Sequence, residues 1–175
     1  MRSSPTRHLC RVASAVIFVL SLCPAGRAAS PEDHPAVPAI LSRAESLFLS
    51  MKARDYPAIF TVLSAKSRET IVAETFSALA AAPSPSTKMP TPDRDAVRGD
   101  FVAGGPIAHD YWDAFLRRFD PDAALEHSRW EIGSVGKDRA EIRLTYHGAD
   151  HPAVLKMFLE EGGWKVGLVE TFWSR

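Results

Sequence analysis

The chain has 175 residues, 46% of them hydrophobic and 24% charged, and its formal charge is zero. That length suits one domain with a core of its own, and the composition is that of an ordinary globular protein. The neutrality hides an asymmetry. Arg2, Arg7, Arg11 and Arg27 lie in the first 28 residues, where there is no Asp or Glu, and setting them aside leaves 17 basic residues against 21 acidic. A mildly acidic body argues against nucleic acid as a partner, because that binding rests on Lys and Arg neutralising phosphates.

Residues 1–28 read as a signal peptide. A basic start is followed by an apolar run, VASAVIFVLSLC from Val12 to Cys23, and by small residues around a cleavage point after Ala28. Twelve apolar residues fall short of the ~20 that span a bilayer. Export to the periplasm or the exterior is therefore expected. The alternatives are an uncleaved anchor and a lipid anchor at Cys23, whose Leu20-Ser21-Leu22-Cys23 loosely resembles a bacterial lipobox with an unusually bulky Leu22. Only lipidation at Cys23 or retention of the segment would bring a membrane into play. Both cysteines, Cys10 and Cys23, lie in this segment, so the body has no disulfide and no thiolate.

Residues 29–36 read as a flexible leader. Then Val37, Ile40, Leu41, Ala44, Leu47, Phe48 and Met51 recur at three- and four-residue steps, one face of an amphipathic helix. Asp55 can cap a second, short helix with Pro57 in its first turn and Ile59, Phe60 and Leu63 on its apolar side. Ser67 offers a cap for a third helix lined by Val72, Phe76 and Leu79. Residues 83–104 read as a Pro-rich insertion: PSPSTKMPTP is a loop, and a charged stretch follows it up to Gly104-Gly105-Pro106. A fourth helix starts there, with Ala108, Tyr111, Trp112, Phe115 and Phe119 in its stripe and Asp113 and Arg117 at i, i+4 on another side.

After Asp120-Pro121-Asp122 the period falls from about 3.6 to 2. Trp130 and Ile132 alternate with charged residues. So do Ala140, Ile142, Leu144 and Tyr146, and the pattern continues from Ala153 to Glu160 and from Trp164 to Trp173. Tight turns separate these runs, at Gly136-Lys137-Asp138, at HGADHP and at Gly162-Gly163. The expected fold is α+β, with N-terminal helices packed on a curved four-stranded antiparallel sheet.

The stretch FLSMKARDYPAIFTVLSAKSR, residues 48–68, resembles the first helices of the nuclear transport factor two-like superfamily. VLKMFLEEGGWKVGL, residues 154–168, resembles its last hairpin. Small exported bacterial domains of unknown function are the nearest in character. The resemblance implies a single cone-shaped domain over 37–175, with a pocket at its wide end. It implies little about activity, since the superfamily holds isomerases, dehydratases, binding modules and non-catalytic partners.

Chemistry-bearing motifs are few. His147 and His151 with Asp150 form an H-x-x-x-H pair, but on a hairpin the two rings share no face, and a metal needs three or four converging ligands. A turn is the expected role, and no metal or cofactor is implied. His109-Asp110 reads as the polar first turn of a helix. Strand alternation places Glu170 on one face with Val166, Leu168 and Phe172. A carboxylate there could serve as a general acid or base, or simply sit in water or beside an arginine at the open end of the sheet. Tyr111, Trp112, Trp130 and Tyr146 are the aromatic residues expected to line a ligand cavity. The first functional expectation is thus non-catalytic binding of an apolar small ligand or a protein partner. The alternative is an acid/base enzyme built on Glu170. A third reading, a homodimer through the outer sheet face, rests on Val154, Phe158 and Val169.

Overall fold

The computed structural model describes residues 30–81, 92–149 and 151–173. The signal-peptide reading, the two cysteines, most of the Pro-rich loop and Asp150 lie outside these residues. The leader is described from Ser30, and Pro31–Asp33 form a 3-10 turn beside the first strand.

Helix α1 (Val37–Ala53) buries Val37, Ile40, Ala44, Leu47, Phe48 and Met51, as the spacing predicts. It stops because Arg54 adopts a left-handed φ of 54°, which hands the Asp55 N–H to the Ser50 carbonyl at 2.9 Å. The Asp55 carboxylate then accepts from the Ala58 N–H at 3.1 Å and starts α2 (Tyr56–Val62), with Pro57 in the first turn. After α2 the chain runs along the sheet edge. Leu63 bridges Val166 in parallel, and the Ser64 N–H donates to the Val166 carbonyl at 2.9 Å.

Helix α3 (Ala65–Ala81) is capped by Ser64, whose Oγ accepts from the Ser67 N–H at 3.1 Å. The cap thus lies three residues before the expected Ser67. Ser64 is already fixed by the sheet edge, and Ser67 is carried inside the first turn, fully buried.

The segment 83–104 is not loop to its end. Arg94–Ala103 form helix α4, capped by Asp93, and bury Val97 and Phe101 completely. Glu69 on α3 holds α4 through Arg98 at 2.6 Å and Arg94 at 3.3 Å. Gly104 closes α4 at φ 68°, and a Cβ there would lie 2.7 Å from the Pro57 ring. At Gly105 a Cβ would collide with the Asp100 carboxylate, which instead accepts from the Ala108 N–H at 2.8 Å and so caps the next helix. That helix, α5 (Pro106–Leu116), buries Ala108 and Trp112 and is followed by the short α6 (Pro121–Leu125), capped by Asp120.

Strands β1 (Ser128–Val135), β2 (Arg139–Tyr146), β3 (Ala153–Glu160) and β4 (Gly163–Gly167) form the antiparallel meander in the order β1-β2-β3-β4. A bulge between Ile132 and Ser134 shifts the β1 register. Ala140, Ile142, Leu144, Leu155, Met157, Trp164 and Val166 face the helices and share one core with α1, α2, α4 and α5. The outer face is charged. Glu131 pairs across from Arg143, and Glu141 lies between Ser134 and Lys156. The β3–β4 turn is made by Glu161 and Gly162, both at positive φ.

The last strand is shorter than alternation predicts. At Gly167 the chain leaves the sheet and forms a helical turn, α7 (Leu168–Phe172). Two contacts account for this. A Cβ at Gly167 would lie 2.4 Å from the Phe158 ring, so only glycine passes there. The Thr171 hydroxyl, itself donating to the Gly167 carbonyl at 2.6 Å, accepts from the Lys156 N–H at 3.0 Å and so takes up a donor on the β3 edge.

Because α4 is part of the core, Phe101→Ala is expected to destabilise the protein by about 3–5 kcal/mol in urea unfolding. A loss below ~0.5 kcal/mol, the value for an exposed loop position, would contradict this placement.

Candidate ligand groove

Helix α7 moves Glu170 off the sheet, so the expected strand face shared with Val166 and Phe172 does not exist. Its carboxylate instead closes a polar clasp. Oε1 accepts from the Ser64 hydroxyl at 2.9 Å and Oε2 from the Ser67 hydroxyl at 2.6 Å. The Ser67 Oγ also accepts from the Val169 N–H at 3.0 Å. Both serines are fully buried. Each carboxylate oxygen therefore has a donor, and α7 is fastened to the start of α3. The open side of Glu170 borders a cavity of about 360 Å³ whose wall also includes Lys66, Glu141, Lys156 and Trp173.

The four aromatic candidates do not converge on one cavity. Trp112 is fully buried and its indole N–H has no partner among the described residues. Trp130 is half-buried and donates to the Ala124 carbonyl at 2.7 Å. Both are packing residues in a continuous chain of ring contacts. Tyr111 meets Trp112 at 5.0 Å, Trp112 meets Phe115 at 5.8 Å, Phe115 meets Phe119 at 5.4 Å, Phe119 meets Phe48 at 5.9 Å, and Phe48 meets Trp130 at 5.6 Å. Tyr111 and Tyr146 do border open space, at opposite ends of this chain.

The open space is a groove along α5. Tyr111, Phe115 and Phe119 recur at four-residue steps and form its floor. Phe172 and Trp173, delivered by α7, form its wall. Trp173 stacks on Phe115 with centroids 6.2 Å apart and an interplanar angle of 14°, and Phe172 meets Phe119 edge-on at 6.0 Å. The groove encloses about 600 Å³, and Glu74, Arg117 and Arg118 rim it. Past Phe119 and Phe172 a smaller cleft of about 150 Å³ leads to Tyr146. Phe172 and Tyr146 are 43% and 48% exposed. Burial, aided by the negative charge of Glu74, raises the pKa of Tyr111, so its hydroxyl remains a donor at neutral pH.

Of these lining residues, sequence reasoning finds Tyr111 and Tyr146 and misses Phe115, Phe119, Phe172, Arg117 and Arg118. The available signal was the i, i+4, i+8 aromatic spacing itself, which reads as core. Nothing local shows that α7 stops short of covering it.

A second polar cluster fixes the corner between α1 and α2. The Tyr56 hydroxyl and the Arg54 guanidinium both donate to the Asp113 carboxylate on α5, and the His109 ring packs edge-on against Tyr56 at 4.5 Å. The Tyr56 hydrogen bond and the Arg54 charge lower the pKa of Asp113. Burial, and then the bond to Asp113, raise that of Tyr56. Asp113 thus pairs with Arg54 rather than with Arg117 as helix spacing suggests. His109 is a packing partner here.

Within TYHGADHP, His147 and Gly148 form a turn at the end of β2. Tyr146 ends β2, Gly148 has φ 90°, and the Ala149 N–H donates to the Tyr146 carbonyl at 3.0 Å. His147 and His151 are exposed. Among the described residues no three His, Cys, Asp or Glu side chains come together as a metal site. No helix among them is long and apolar enough to cross a membrane. The residues of the dimer reading are dispersed. Val154 is exposed on the outer face and Phe158 half-buried there, but Val169 is buried on α7 and not on that face.

Comparison with family models, with curated proteins and with solved structures finds no match to this chain.

Two outcomes test these polar clusters. Ser67→Ala removes the acceptor of a buried N–H and a donor to Glu170, and is expected to cost about 1–3 kcal/mol in urea unfolding; no loss would mean that the clasp is not formed. Asp113 has a folded pKa below its ordinary 3.8, so its contribution is complete above that value and is lost as pH falls through the lower, folded one. Thermal melting of Asp113→Asn below pH 4 is therefore expected to be less pH-dependent than that of the parent. Identical acid profiles would contradict the clamp.

Proposed function

We propose that this chain is an exported, non-catalytic binding domain that takes an apolar small molecule into the groove along α5. The observation that carries the reading is the half-exposed aromatic floor of Tyr111, Phe115 and Phe119 facing Phe172 and Trp173. Small-molecule sites are concave, largely apolar and about 300–1,000 Å³ in size, with a few polar groups at the rim. The volume of this groove, about 600 Å³, falls in that range, and its aromatic floor and wall carry Glu74, Arg117 and Arg118 beside them.

The basic, apolar start of the chain supports a periplasmic or secreted location, with a lipid anchor at Cys23 as the alternative. The likeness of residues 48–68 and 154–168 to its first helices and last hairpin is the ground for kinship with the nuclear transport factor two-like superfamily. In a cone of that kind a ligand is expected inside the sheet. Here that space holds Ile142, Leu155, Met157 and Trp112, all fully buried, which favours the rim instead.

The second reading is an acid/base enzyme on Glu170. It is favoured by the cavity of about 360 Å³ that Glu170 borders with Lys66 and Lys156. Against it stand the two serine hydroxyls that occupy the carboxylate.

Titration with the neutral fluorescent probe N-phenyl-1-naphthylamine separates the two. One saturable site is expected, and Phe172→Ser, at an exposed position, is expected to weaken it about tenfold. Binding indifferent to Phe172→Ser but lost on Glu170→Gln would move the site to the other cavity and contradict the groove.

A further inference from the structure

Resting on the groove reading, we propose that its ligand is an amphipathic carboxylate, an aryl or alkyl acid whose apolar body lies on Phe115 and Phe119 and whose head is held by Arg117 and Arg118.

The rim supplies the charge argument. Arg117 and Arg118 are exposed, border the groove and form no ion pair with any described residue. The helix partner that would neutralise Arg117 is Asp113, and Arg54 takes that carboxylate as its ion pair. Arg117 reaches Asp113 only through its longer-range field. Both guanidinium groups therefore line the cavity without an ion-pair partner among the described residues, and a carboxylate is the group that accepts from such donors two at a time.

One acid also lines the groove, and its position sharpens the specificity. Glu74 comes from α3 and acts on the Tyr111 hydroxyl, raising its pKa. Tyr111 lies six residues before Arg117, so the acidic and basic ends of the groove are separated by roughly 10 Å along the helix axis. Glu74 thus repels a second anionic group at the far end and leaves the arginine end positive. A monoacid with an uncharged tail fits this polarity, whereas a diacid does not. Between the ends lies Phe115 with Trp173 stacked on it, and Phe119 continues the aromatic floor past the arginines, so a planar or extended apolar body can stack along it.

Calorimetric titration with 2-naphthylacetate and with its neutral counterpart, 2-naphthaleneethanol, tests the proposal on the unaltered protein. The acid is expected to bind about tenfold more tightly, the scale of one charge-assisted hydrogen bond. Raising the salt concentration is expected to shrink that preference, because the arginines are exposed. Arg117→Gln combined with Arg118→Gln is expected to abolish it, bringing the affinity for the acid down to that for the alcohol, without lowering the melting temperature. Equal binding of acid and alcohol to the unaltered protein would overturn the carboxylate assignment and keep the groove. A preference that survives in the double variant would overturn it as well. Failure of both probes to bind would remove the groove reading and this inference together.

Discussion

The contact between Glu170 and the buried hydroxyls of Ser64 and Ser67 decides where the last residues of the chain lie. Ser64 is held by the edge of β4, Ser67 occupies the first turn of α3, and Glu170 sits more than a hundred residues later on α7. None of the three groups would be tolerated alone in its place. A buried hydroxyl or a half-buried carboxylate without partners costs free energy, and together they satisfy one another and the Val169 N–H as well. With the clasp closed, Phe172 and Trp173 are brought against Phe119 and Phe115. The clasp acts with the Thr171 hydroxyl, which ties α7 to the Lys156 N–H, in fixing the wall of the groove. The polar network therefore shapes the apolar site at one remove.

A division of labour among the aromatic residues follows. Phe48, Trp112 and Trp130 are interior rings that tie α1, α5 and β1 together. Phe115 and Phe119 belong to the same chain of contacts, but their outer sides remain accessible because α7 is only one and a half turns long. The sheet offers no comparable surface. Its inner face is filled, and on its outer face Glu141 lies across from Lys156 and Arg143 across from Glu131. Such a face is well solvated and self-neutralising. Aromatic side chains and the arginines Arg117 and Arg118 come together at the C-terminal end of α5, and that coincidence is what the proposed binding role rests on.

Much of the fold was legible in the sequence. The stripe from Val37 to Met51 and the period-2 runs from Trp130 to Leu159 point unambiguously to a helix and to strands, because each has enough repeats to define its period. Helix α4 is not legible, since only Val97 and Phe101 mark its buried side and the rest of DRDAVRGD is charged or small. Its Asp93 cap and Gly104 stop were present, but they are equally at home in a loop. The boundary at Gly167 was hidden for a different reason. Five residues of VETFW-type sequence fit a strand as readily as a helical turn, and the choice is made by contacts distant in sequence, with Phe158, Ser64 and Ser67. The same contacts explain the candidate residues. Tyr111 and Tyr146 border open space and Trp112 and Trp130 pack in the interior, a division that turns on long-range contacts, and the partners of Glu170 lie beyond the reach of any local pattern.

The account stands or falls on where a ligand touches the protein. Mapping backbone amide shifts by nuclear magnetic resonance during titration with 2-naphthylacetate measures this directly. Perturbations are expected to concentrate in Tyr111 to Arg118 and in Leu168 to Trp173, the floor and wall of the groove. Shifts centred instead on Lys66, Glu141 and Lys156, around the open side of Glu170, would contradict the account and favour the acid/base reading of that cavity.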